Sequence, residues 1–176
     1  MTQASFLKEA SLCGQHAAKF AWAKYQRLIL PSGLIAQAAR ETGYGQHTCG
    51  KASDGQPARN YFGMKASSRW KGRSTTLLDT PEVRGGVERR ERHGFRAYDS
   101  MEESFFDAAR NLCTNVVYKK ALDILAEGSP LDSILWVPPR GLTMRLPRWQ
   151  AYLRSIGARW ATDPKYAEAL IDLVVK

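Results

Sequence analysis

The chain has 176 residues, 44% of them hydrophobic and 10% aromatic, and a formal net charge of +9. That length suits one domain with at most a small lobe, and the apolar content excludes a disordered chain. The charge draws the protein to polyanions (nucleic acid, anionic membrane surfaces, acidic wall polymers) without choosing among them. No apolar run reaches membrane-spanning length, because Lys24 and Arg27 interrupt the best candidate, so no membrane insertion is expected.

The spacing predicts a first helix over residues 5–26, with Phe6, Leu7, Ala10, Cys13, Ala17, Phe20 and Ala21 on its apolar face. The opening MTQASFLKEASLCG has no basic segment leading into an apolar one, so no export signal is expected and synthesis is placed in the cytoplasm. Pro31 breaks the helix, and Ser32 is the expected N-cap of a second one, PSGLIAQAARET. Leu34, Ala38 and Glu41 fall on one face of it, and Gly43 and Gly45 end it.

Residues 49–59 read as a polar loop. STTLLDTPEV and VERRERHGFRAY predict a hairpin around Gly85 and Gly86, forming a small β-lobe over about 70–98. Ser100 and Glu103 form a capping box for the helix MEESFFDAARNL. A further helix over 118–126 stops at Gly128, Ser129 and Pro130. VPPRG is a loop, LPRWQAYLRSIG a helix behind Pro147, and ATDPKYAEALIDLVV the last helix, with Asp163 as N-cap and Pro164 in its first position. The fold class is therefore mainly α (α+β), one domain over 1–176.

Cys13, Cys49 and Cys113 allow one internal disulfide at most, joining Cys113 to Cys49 or to Cys13. Their spacing matches no zinc pattern and the three histidines are scattered, so neither metal nor cofactor is expected.

Glu41 is the candidate for acid chemistry. A carboxyl group at a helix C-terminus meets the negative end of the helix dipole, and apolar neighbours desolvate it; both raise its pKa. A carboxyl that keeps its proton can protonate the leaving oxygen of a glycosidic bond. The plain alternative is a solvated glutamate in a frayed last turn. A second carboxylate is needed across a cleft, and the hairpin offers Asp79, Glu82, Glu88 and Glu91. Glu82 lies just before the Gly-Gly turn, on a lobe that could hang over Glu41, and Asp79, three residues earlier, faces the other side of a regular strand; for each the alternative is an exposed charge in an arginine-rich hairpin. Tyr44, Tyr61, Phe62, Trp70, Tyr98 and Tyr166 are candidates for stacking on sugar rings, each weighed against an ordinary place in the core.

Four blocks in order, GLIAQAARETGYGQ, NYFGMKASSRWKG, FRAYDSMEESFFDAA and ATDPKYAEALIDLV, resemble the β-N-acetylglucosaminidases of glycoside hydrolase family 73, in particular the C-terminal domains of flagellar rod-assembly hydrolases. The resemblance covers most of the chain. It implies a lysozyme-like helical domain with a small β-hairpin lobe, and cleavage of the β-1,4 bond between N-acetylglucosamine and N-acetylmuramic acid in peptidoglycan. It implies Glu41 as catalytic acid and Glu82 as second acid, with Asp79 the rival. It also implies substrate contacts at Tyr44, Asn60, Phe62, Lys65 and Tyr166, to which Trp70 and Tyr98 are added as aromatic surface. Asp107 matches an acid read as structural. Arg159 and Trp160 depart from the family's usual Gly-Tyr, and the stretch over 135–156 is longer than usual.

A wall hydrolase without an export signal points to a specialised route. The preferred reading is an antibacterial toxin delivered by a type VI-like secretion system, acting in the periplasm of a target cell and neutralised by an acidic immunity protein. A phage lysis or tail-associated muramidase or lytic transglycosylase is the alternative. Of other classes, a wall-binding module without catalysis and a basic nucleic-acid-binding protein, suggested by the arginines between 84 and 96, stand beside it, although no nucleic acid partner is expected.

Overall fold

The computed structural model describes residues 1–75, 78–84, 87–136 and 144–175, with backbone alone for 81–84, 87–89, 133, 135, 136 and 144. Helix α1 (Gln3–Tyr25) carries Phe6, Ala10, Cys13, Ala17 and Ala21 as a buried stripe. It packs on α3 (Met101–Thr114), whose Met101, Phe105, Ala108, Ala109 and Leu112 face it across the core. The alanines on both faces let the two axes approach closely, and Phe6 and Phe105, each wholly buried, fill the space left. Leu7, expected inside, is exposed at the edge of the stripe.

Helix α2 (Pro31–Thr42) begins two residues earlier than expected. Pro31 opens it, and the residue before it, Leu30, caps without any side-chain bond, so Ser32 is not the cap. Proline suits that place because its missing N–H would be unsatisfied there in any case. The expected capping box at α3 forms in a shifted version: Ser100 Oγ accepts from the Glu103 amide at 3.1 Å, while Glu103 Oε2 accepts from the amide of Asp99 at 2.9 Å.

A 3₁₀ turn (Val116–Tyr118) leads into α4 (Lys119–Ala126). Helices α5 (Arg148–Trp160) and α6 (Tyr166–Val175) complete the helical body, α5 against α4 and α6, and α6 against α2. Asp163 enters α6 as expected in kind but not in place. Its carboxylate accepts from the Lys165 amide at 2.9 Å, and a turn over 163–165 precedes the helix proper.

The hairpin of β1 (Leu78–Arg84) and β2 (Val87–His93) is antiparallel, running from Leu78 opposite His93 to Arg84 opposite Val87. Its lobe reaches further back than residue 70. Single bridges pair Lys51 with Pro57, Ala52 with Thr75, Lys65 with Phe95 and Ser74 with Arg96, and Ala52, Ala58 and Ala97 form a small core of their own. A second two-stranded sheet, β3 (Ser133–Trp136) with β4 (Met144–Pro147), was not foreseen. Four-residue strands with a proline at one end give too short a period-two signal to stand out. All three cysteines are free thiols, and burial lifts each to about 11. No helix among the described residues is long and apolar enough to cross a membrane.

Candidate active site

Three consecutive residues after α2 take left-handed backbone: Gly43 (φ 57°), Tyr44 (φ 58°) and Gly45 (φ 80°). Glycine is at ease there; tyrosine is not. The amides of Gly43 and Tyr44 both donate to the carbonyl of Ala39, and Thr42 Oγ1 accepts from the Gly45 amide at 2.8 Å while donating to Ala38 O at 2.6 Å. The helix therefore stops abruptly, one residue beyond Glu41. The half-buried Tyr44 ring is held edge-on against Phe6, centroids 5.8 Å apart.

Glu41 does not lie within the buried face of α2 as expected. That face is Leu34, Ala38 and Thr42, with Gln37 beside them, and Glu41 as a whole residue is exposed. Its carboxyl end is nonetheless crowded. Tyr166 Oη donates to Glu41 Oε1 at 2.5 Å, the Trp160 side chain lies near the same carboxylate, and a Cβ on Gly63 would stand 3.8 Å from Oε2. Exposure over the whole side chain and desolvation of its tip coexist where a carboxyl group sits in a cleft open on one side. Burial raises its pKa above the ordinary glutamate range, outweighing the lowering by Tyr166, Arg40 and Trp160. Arg40 reaches past it to Asp163 (2.9 Å) and over the Tyr166 ring (5.3 Å), tying α2 to the entry of α6.

Tyr166 is buried, and burial together with the Glu41 charge pushes its phenol well up, so it serves as a neutral donor. Gln37, one helical turn before Glu41 and 2% exposed, lies near the same hydroxyl, and its Nε2 completes no well-formed hydrogen bond. Gln37, Gly63 and Trp160 were not among the expected site residues. The sequence offered one clue, a lone amide within a small-residue helix face; the other two depend on the chain returning from 22 and 119 residues away.

Asn60, Phe62 and Tyr98, expected at the sugar-binding surface, lie inside the protein. Asn60 is 0% exposed: its amide donates to Met64 O and Arg96 O, each at 2.9 Å, and its Oδ1 accepts from the amides of Phe62 and Met64. It thereby sets the turn that presents Gly63 to Glu41. Phe62 packs edge-on against Phe105 (4.9 Å) and Trp160 (6.2 Å). Tyr98 donates to Asp107 Oδ2 at 2.6 Å, and Asp107, 5% exposed, also holds Arg96 and Arg110. The structural reading of Asp107 describes its place well: it ties α3 to the lobe. Lys65 and Tyr44 keep exposed or half-exposed side chains.

Two hairpin acids, Glu82 and Asp79, were expected to face Glu41. The Glu82 side chain lies outside the described residues; its backbone sits in β1 opposite Arg89. Asp79, opposite Arg92 and 3.8 Å from its Nε, is exposed. Trp70 is half-buried, its Nε1 donating to Arg73 O at 2.8 Å and the Arg96 guanidinium covering one ring face at 4.7 Å. A cavity of ≈ 460 Å³ opens beside Trp70 rather than at Glu41. Among the described residues no cluster of His, Cys, Asp and Glu could hold a metal.

The sequence pattern of the glucosaminidase family (mannosyl-glycoprotein endo-beta-N-acetylglucosaminidase) matches residues 15–176. The chain is 36% identical over 140 residues to peptidoglycan hydrolase FlgJ of Pseudomonas aeruginosa, covering 80% of this chain and 30% of that protein. It is 41% identical over 138 residues to FlgJ of Vibrio cholerae, covering 78% and 34%. It thus spans about a third of the length of these relatives. Among solved structures, a peptidoglycan hydrolase mutant from Sphingomonas sp. A1 superposes with a TM-score of 0.72 at 27% identity, covering 99% of this chain and 94% of that one. The truncated glycoside hydrolase domain of Salmonella typhimurium FlgJ gives 0.66 at 25%, covering 99% and 96%.

Proposed function

The chain belongs to the glucosaminidase family, with the lysozyme-like glycoside hydrolase fold, and from that premise we propose that it hydrolyses peptidoglycan at the β-1,4 bond between N-acetylglucosamine and N-acetylmuramic acid. The observation that carries this reading is Glu41, whose carboxyl group is desolvated at the open end of α2 and bonded on Oε1 by Tyr166, leaving the edge beside Gly63 for the substrate. In this mechanism Glu41 holds its proton in the resting enzyme and passes it to the glycosidic oxygen as the bond breaks. Tyr166 and Trp160 stabilise the carboxylate that remains. Glu82, with Asp79 as rival, is the second carboxylate, stabilising the sugar cation or activating water. Tyr44, Lys65 and Trp70 are the proposed substrate contacts from the expected set, and Asn60, Phe62 and Tyr98 support them from behind.

The relatives named FlgJ are peptidoglycan hydrolases, which supports the polymer as substrate. We further place the enzyme's action outside the cytoplasm, in the periplasm of a target cell, as an effector delivered by a type VI-like system. An acidic immunity protein would complement the net charge of +9. Recovery of no specific inhibitor from the producing cell would remove that part of the proposal and leave the hydrolase intact.

The deciding experiment is digestion of purified peptidoglycan by the wild type, Glu41→Gln, Glu82→Gln and Asp79→Asn, with borohydride reduction and mass spectrometry of the fragments. Reduced N-acetylglucosamine ends that vanish in Glu41→Gln support the assignment, and the more damaged of the other two variants identifies the second carboxylate. Reduced or anhydro muramic ends would replace it with a muramidase or a lytic transglycosylase. No fragments from folded wild type would overturn it.

A further inference from the structure

The cavity beside Trp70 is lined by charge that neutral sugars do not explain. The loop over 67–72 and the second half of α3 enclose ≈ 460 Å³, with Arg69, Lys71, Arg96 and Arg110 on its walls and Asp107 as the one carboxylate among the lining residues. That volume is in the range of ligand pockets. Four cations against one carboxylate leave a net charge of +3 (4 − 1). Asp107 is already committed to Arg96, Arg110 and Tyr98. Arg69 and Lys71 are exposed and have no ion-pair partner among the described residues. Such a concave cationic wall focuses field and raises the local concentration of anions.

An aromatic platform for a sugar ring does not account for the pocket, because Arg96 covers one face of Trp70. Asn111, which lines the pocket, lies near the Tyr118 hydroxyl; Tyr118 lies 6.0 Å from Trp160 by ring centroids, and Trp160 lies near the Glu41 carboxyl group. The pocket thus stands off from Glu41 by a short chain of neighbouring side chains. N-acetylated sugar rings carry no charge. In a peptidoglycan strand the anionic groups are the carboxylates of the peptide branches, or the lactyl carboxylates of muramic residues that have lost theirs.

Resting on the peptidoglycan reading above, we propose that this pocket is a carboxylate-binding subsite that anchors the branches of the strand while Glu41 acts on its backbone. Arg69 and Lys71 supply charge-assisted hydrogen bonds, and Arg110 and Asn111 add donors from α3.

The test is calorimetric titration with the free tripeptide L-alanyl-γ-D-glutamyl-meso-diaminopimelate, with N-acetylmuramic acid, and with N-acetylglucosamine as neutral control. The proteins are the wild type, the double variant Arg69→Gln/Lys71→Gln, and the charge-matched control Lys8→Gln/Lys19→Gln on α1. The tripeptide is expected to bind the wild type and the control, to weaken with salt, and to lose about tenfold or more in the pocket variant. N-acetylglucosamine is expected to show none of this. Binding of N-acetylmuramic acid with the same sensitivity, in place of the tripeptide, would assign the subsite to lactyl carboxylates of stripped strands. Three results overturn the proposal: no binding of either carboxylate at millimolar concentration, equal loss in both double variants, or DNA binding through Arg69 and Lys71 that neither carboxylate competes away. Strand cleavage by the wild type is scored separately. Cleavage without carboxylate binding removes the subsite and keeps the hydrolase; binding without cleavage does the reverse.

Discussion

The Tyr166 hydroxyl donates a 2.5 Å hydrogen bond to Glu41 Oε1, joining the first turn of α6 to the last turn of α2 across 125 residues of chain. The bond lowers the pKa of Glu41 against a larger rise from burial. Removing it in Tyr166→Phe therefore raises that pKa further. Because a general acid works only while protonated, the alkaline limb of the pH–rate profile is expected to move to higher pH. The rate itself should fall roughly 10–100-fold, the worth of a hydrogen bond to a charged group. A lower rate with an unmoved limb would mean that Tyr166 supports the fold rather than the acid.

Glu41→Gln is expected to reduce turnover by about 10²–10⁴-fold, the usual contribution of a general acid. It should also stabilise the protein at neutral pH. The folded-state pKa of Glu41 lies above its unfolded value, so the native state holds the proton more tightly. The associated stability is complete below the unfolded pKa of about 4.3 and is lost as pH rises through the folded one. Melting curves should place the variant above the wild type at pH 7, with the gap closing as pH falls below that value. An unchanged gap from neutral to acid pH would contradict the raised pKa.

Gly63 has φ 62°, and a Cβ there would stand 3.8 Å from Glu41 Oε2. Gly63→Ala is expected to cost about 1–2 kcal/mol in backbone strain and to shield the oxygen left for the substrate. Activity should therefore fall further than stability, which paired melting and turnover measurements would reveal. Proportionate losses would argue that strain alone is responsible.

Asp107, itself 5% exposed, pairs with Arg96 and Arg110 while accepting from Tyr98. Asp107→Ala leaves the buried Tyr98 hydroxyl without its acceptor and two partly exposed guanidinium groups without their partner, which costs about 1.5–3 kcal/mol. For a chain of this length that is a fall in melting temperature on the order of 5–10 °C. A fall of a degree or two would mean that the lobe is held by its backbone bridges instead.

What the sequence by itself determined is local. Helical periodicity located the helical body, glycines located the turn after Glu41, and the Gly85-Gly86 pair located the β1–β2 hairpin, because each depends on residues within a few positions of one another. The candidate acid was legible for the same reason: Glu41 stands at a helix end that nearby residues specify. Tertiary structure decided everything that depends on the chain's return. It made Asn60, Phe62 and Tyr98 scaffold rather than surface, since an amide or an aromatic ring reads alike in either role until its partners are known. It brought Tyr166, Trp160 and Gly63 around one carboxyl group, supplying by long-range packing the desolvation that α2 alone does not provide. And it gathered Arg69, Lys71, Arg96 and Arg110 around a single carboxylate, turning a diffuse excess of positive charge into a pocket with a definite wall.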